Sequence, residues 1–86
     1  MSLAGDFAAA QVRVKTLTKR PSNGDLLDLY ALFKQGTTGD VRGKRPGMMD
    51  FKGRAKFDAW ASKKGMTNDA AQTAYISLVD RLLAGA

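Results

Sequence analysis

The sequence predicts an all-α fold, a bundle of four helices. Apolar residues recur at helical spacing in four separate stretches. Capping residues, Pro and Gly bound those stretches, and no segment reads as a strand, β-branched residues being few.

The first helix is expected over Met1 to Lys19. Phe7, Ala10, Val14 and Leu17 fall on one face of it. Lys19 and Arg20 complement its C-terminal dipole and Pro21 prevents continuation. Ser22 reads as the N-cap of a second helix, with Asp25 three residues on in a variant capping box. That helix is expected from Asn23 to Gln35, with Leu26, Leu29, Tyr30 and Phe33 at i, i+3, i+4 and i+7. Leu27 and Leu32 widen the stripe, so it can be covered on two sides. Gly36, Thr37, Thr38 and Gly39 are expected to stop it.

Asp40 to Asp50 is the one long irregular stretch, punctuated by Gly43, Pro46 and Gly47. A connection of this length lets two helices run parallel instead of forming a tight antiparallel hairpin. Asp50 can cap a third helix, Phe51 to Lys64, with Gly65 suited to a left-handed C′ position. Thr67 caps a fourth, in which Ala71, Ala74, Tyr75, Leu78, Val79 and Leu82 give the cleanest 3.6-residue pattern.

Eighty-six residues suit a single domain spanning 1–86 with one small core. The chain has no Cys and no His. That excludes a disulfide framework, thiolate or imidazole metal sites, a Cys nucleophile and a Ser-His-Asp triad. The carboxylates are scattered, with no acid/base pair and no calcium-loop spacing. An enzyme is not expected, nor a cofactor. Fourteen Lys and Arg against eight Asp, with no Glu, give a net charge of +6, which favours an anionic partner. No apolar run approaches the about 20 residues of a membrane span, and the N-terminal residues lack the pattern of a signal peptide. A cytoplasmic, reducing location is therefore expected, without stable membrane insertion.

Tyr30 and Lys34 stand one helical turn apart, with Phe33 beside them. Such a surface can take an aromatic base and its phosphate, but the spacing alone fits ordinary core packing better. Lys52 and Lys56 form a second i, i+4 pair that fits either a phosphate site or a solvated face. Arg13 and Lys15 on the first helix could add to it. Arg42-Gly-Lys-Arg45 is basic but has no interleaved aromatic, so it supports a nucleic-acid-binding alternative only weakly. Trp60 reads as core.

From Leu27 onward the sequence resembles the acyl-CoA-binding protein family. The resemblance rests on Leu29-Tyr30-Ala31-Leu32-Phe33-Lys34-Gln35, Thr38-Gly39-Asp40 and Arg45-Pro46-Gly47-Met48-Met49-Asp50. It continues through Lys52-Gly53-Arg54-Ala55-Lys56-Phe57-Asp58-Ala59-Trp60, Lys64-Gly65-Met66 and Ala74-Tyr75-Ile76. Phe7, Val14, Leu17 and Pro21 extend it towards the N-terminus.

The resemblance implies an up-down-down-up bundle that acts as a monomer and binds medium- to long-chain acyl-CoA esters without catalysis. It also implies that Lys15, Tyr30, Lys34, Lys56 and Tyr75 hold the adenosine 3′-phosphate, while Leu26 and Leu27 shield the acyl chain. Two departures fall in this set. Phe33 stands where the family usually has Tyr, so a hydroxyl is missing beside the phosphate. Phe57 stands where Trp is usual, so the aromatic surface is smaller. A missing neutral hydrogen bond costs about 0.5–1.5 kcal/mol. Arg54 keeps the charge of the usual Lys, and Gly36, where Ala is usual, is expected to loosen the end of the second helix.

Overall fold

The computed structural model describes residues 2–85. It comprises α1 (Leu3–Arg13), a 3₁₀ turn (Val14–Thr16), α2 (Asn23–Thr37), α3 (Phe51–Ala61) and α4 (Asn68–Ala84), with no strand among the described residues. Each α-helix starts on a side-chain cap. Ser2 accepts from the Gly5 N–H, Ser22 from Asp25, Asp50 from Gly53 and Thr67 from Ala70. Three of these caps are those expected from residue order; the fourth, Ser2, replaces the predicted start at Met1, which lies outside the described residues.

The helices run up-down-down-up. On the α1–α4 seam Phe7 meets Tyr75 and, further along both, Arg13 pairs with Asp80 at 2.8 Å, so these two are parallel. Asp25 near the start of α2 pairs with Arg81 near the end of α4, and Gln72 donates to the Gly36 carbonyl at 2.9 Å, so α2 is antiparallel to α4. Lys56 lies over Tyr30 and Trp60 under Lys34, so α3 runs parallel to α2. The long connection between α2 and α3 makes that arrangement possible.

The apolar core is built from Phe7 and Ala10 of α1, Leu29 and Leu32 of α2, and Ala71, Tyr75, Leu78 and Val79 of α4. Phe7 meets Tyr75 edge-on, with centroids 5.1 Å apart. α3 adds the buried Trp60, whose indole N–H donates to the Gly39 carbonyl at 2.7 Å. Fully buried Gln35 donates to Asp40 at 2.8 Å and to the Met66 carbonyl at 2.9 Å. Asp40 also accepts the Gly65 N–H, at 2.9 Å. These two donors hold the Asp40 carboxyl below its ordinary range.

Three expectations are corrected. The first helix ends at Arg13 rather than Lys19 and gives way, through the 3₁₀ turn, to extended backbone at Leu17 (φ −59°, ψ 131°). Val12, Val14, Thr16 and Thr18 are β-branched, which weakens helix just there. α2 does not stop at Gln35 but runs to Thr37, and Gly36 lies within it. A Cβ at Gly36 would lie 3.0 Å from the Gln72 side chain, so this glycine lets α2 and α4 approach closely instead of loosening the helix end. α3 ends at Ala61 rather than Lys64. Short i→i−3 bonds from Lys63 and Lys64 then carry the chain to Gly65, whose φ of +94° suits the left-handed turn expected of it.

Candidate functional site

Two clefts open on either side of Tyr30. The first, about 560 Å³, lies between the 14–21 segment, α2 and Tyr75 of α4. Lys15, Lys19 and Arg20 supply its positive charge, and Tyr30, Phe33 and Tyr75 its aromatic surface. Phe33 is held from behind by Phe7, at a centroid distance of 6.2 Å, and Phe7 in turn packs on Tyr75. The aromatic wall is thus continuous with the core. Burial pushes the Tyr75 phenol above its ordinary pKa, so near neutral pH it keeps its proton and can donate a hydrogen bond.

The second cleft, about 460 Å³, lies between α2 and α3. Leu26, Leu27, Phe51 and Ala55 make it apolar, and Arg20, Lys52 and Lys56 rim it with cations. Tyr30, Leu26 and Arg20 belong to both clefts. The Lys56 ammonium lies 5.5 Å from the centre of the Tyr30 ring, which fixes a positive charge over the dividing wall.

A sequence profile described as "Acyl CoA binding protein" matches residues 4–79. The chain belongs to the acyl-CoA-binding protein family. A relative, acyl-CoA-binding protein homolog 1 of Caenorhabditis elegans, is 57% identical over 84 residues, covering 98% of this chain and 95% of that protein. The Drosophila melanogaster acyl-CoA-binding protein homolog is 51% identical over 78 residues, covering 91% of each. Among solved structures, that of Oryza sativa acyl-CoA-binding protein 2 superposes with a TM-score of 0.93 at 40% identity, covering 96% of this chain and 90% of that one.

Of the nine residues that membership in the acyl-CoA-binding protein family suggested beforehand, five line the first cleft: Lys15, Leu26, Tyr30, Phe33 and Tyr75. Leu27 and Lys56 line the second. The other two, Lys34 and Phe57, are absent from both linings. Half-buried Lys34 lays its ammonium 4.8 Å from the centre of the Trp60 ring. Phe57 is half-buried on α3.

Lys19, Arg20 and Phe51 line the clefts although sequence reasoning did not assign them there, and Lys52, read as either a phosphate contact or solvated, lines the second. Lys19 and Arg20 were read as the end of a helix; because the helix ends earlier, they stand on an irregular segment, from which Lys19 lines the first cleft and Arg20 both. The signal was available in the β-branched residues at 12, 14, 16 and 18 and in Pro21, which biases Arg20 to extended backbone. The basic 42–45 loop is divided in its use. Arg45 makes a two-pronged ion pair with Asp58, at 2.9 and 2.7 Å, which raises the Arg45 pKa and lowers that of Asp58. The comparisons give the nucleic-acid alternative no support.

Proposed function

We propose that this chain is a single acyl-CoA-binding domain over residues 1–86. In this reading it binds, buffers and carries medium- to long-chain acyl-CoA esters in the cytoplasm, as a monomer and without catalysis. One observation carries the reading: a cationic, aromatic cleft and an apolar cleft share the wall made by Tyr30. An acyl-CoA has the same two-part chemistry. Its head carries about four negative charges once the 3′-phosphate is mostly doubly ionised, and its tail is a hydrocarbon.

The adenine stacks against Tyr30 and Phe33. Lys15, Lys56 and the Tyr30 and Tyr75 hydroxyls receive the 3′-phosphate, and Lys34 joins them by leaving the face of Trp60. Lysine serves here as a mobile point charge that needs no fixed fork geometry. Leu26 and Leu27 cover the acyl chain, each buried methylene adding about 0.8 kcal/mol. Phe57 contributes apolar surface on α3. No cofactor is needed, because no bond is made or broken.

Titration calorimetry with palmitoyl-CoA, free CoA and free palmitate tests this. The ester is expected to bind far more tightly than either part. An ester that binds no better than free CoA or free palmitate overturns the reading.

A further inference from the structure

We propose that Asn23-Gly24 is a self-modification site: the Asn23 amide is lost in the folded chain, and the carboxylate that replaces it captures Arg20 from the ligand clefts. Asn23 opens α2, and both it and Gly24 are exposed. The surroundings favour attack of the Gly24 nitrogen on the Asn23 side chain. The Arg20 guanidinium donates to the Asn23 side-chain oxygen at 3.3 Å, so a cation stands ready for the negative charge that develops there. The Gly24 N–H has no hydrogen-bond partner among the described residues, because the first amides of a helix have none within it. It also sits at the positive end of the helix dipole, which favours the nitrogen anion that attacks. Glycine puts no side chain in the way, and even a Cβ at Gly24 would lie 3.9 Å from the Ser22 hydroxyl.

The chemistry needs only water. The Gly24 nitrogen gives its proton to solvent and bonds to the Asn23 Cγ. The side-chain nitrogen takes up a proton and leaves as ammonia. Water then opens the resulting cyclic imide at one of its two carbonyls, giving Asp or its β-linked isomer. Ring closure needs the first turn of α2 to fray, and helix ends open at little free-energy cost. Either product lowers the +6 net charge by one. The Asp form is favoured by the helix dipole and faces Arg20 across the existing contact. Arg20 lines both clefts and Asn23 lines the second, so the new charge enters the cation set facing the ligand. That consequence rests on the function proposed above; the conversion itself does not. Asn68 supplies a comparison within the chain. It too is exposed and opens a helix, but the bulkier Asp69 follows it and no cation donates to it among the described residues.

The test is incubation of the intact folded chain in mildly alkaline buffer, followed by peptide mass spectrometry with detection of the β-linked isomer. Asn23 is expected to convert severalfold faster than Asn68, and Gly24→Ala to slow it severalfold. In Asn23→Asp, titration followed by NMR should place the new carboxyl below the ordinary Asp value of about 3.9, and adding Arg20→Gln should reverse part of that shift. Asn23→Asp should also bind palmitoyl-CoA about two- to fivefold more weakly than the parent. Conversion only in the urea-unfolded chain, or equally fast at both asparagines, overturns the proposal. So does a new carboxyl that is indifferent to Arg20→Gln, or an Asn23→Asp protein with the parent's affinity. A parent that converts at Asn23 but binds no palmitoyl-CoA overturns the binding reading and, with it, the capture of Arg20 from a ligand, while the conversion stands.

Discussion

The α1–α2–α4 unit and α3 with its loops are held by different kinds of force. The first is a nondirectional apolar core, with Ala10, Ala71 and Val79 fully buried in it. The second is fastened by contacts that can be named singly: the Trp60 indole on the Gly39 carbonyl, Asp40 between Gln35 and Gly65, and the Arg45–Asp58 ion pair. A core tolerates small shifts, whereas directed contacts set the position of one element against another. The second cleft lies on the seam between the two units, so its shape is set by the directed contacts.

Leu32→Ala should break the first unit, costing about 2–5 kcal/mol of global stability with one cooperative transition in urea. A cost below about 1 kcal/mol would mean that the core is not where the stability resides. Lys34→Ala and Lys56→Ala lie on the seam. They are expected to weaken acyl-CoA binding by about ten- to a hundredfold, as the loss of a charged hydrogen bond does. Lys34→Ala should also cost up to about 1 kcal/mol of stability through the uncovered Trp60 ring. If either variant binds like the parent in calorimetry, that lysine does not hold phosphate.

Trp60→Phe strips the Gly39 carbonyl of its buried donor and should cost about 1–3 kcal/mol. Native-state hydrogen exchange should accelerate in α3 while α1 and α4 keep their protection; uniform acceleration would show that the two units open together. Phe33→Tyr should leave stability unchanged and tighten acyl-CoA binding by a few-fold, by restoring a hydroxyl worth about 0.5–1.5 kcal/mol. Unchanged affinity would show that the ring alone suffices.

The smallest effect is expected from Asp40→Ala. The folded carboxyl titrates below the ordinary 3.8, so its contribution is present above that value and is lost as pH falls through the folded pKa. The variant should be less stable at neutral pH and should lose less on acidification between about pH 5 and pH 3. Asp58, also lowered, keeps part of that slope in place. An identical acid profile would place the pH dependence elsewhere.

How much of this was legible in the residue order follows the range of each interaction. The caps at Ser22, Asp50 and Thr67 act over three residues and could be read directly, as could the stripes of α2 and α4. Tyr30, Phe33 and Lys34 could be noticed from spacing, but only the family resemblance favoured a ligand-contact reading over core packing. The end of α1 was misread because apolar spacing was weighed above the β-branched run that opposes helix. Gly36 was misread because a glycine late in a helix looks like a stop, whereas here it serves a neighbour 36 residues away, at Gln72. Asp40 and Arg45 act across 25 and 13 residues, and nothing local announces their partners.

Tyr30 stands between two unlike recesses, and a molecule that fills both is a bivalent guest. Once one end is seated, the other is held at an effective concentration that free solution does not reach. Escape then needs both ends to let go before either returns. Separate fragments, a bare nucleotide or a bare fatty acid, gain nothing from this tether and compete poorly even when abundant.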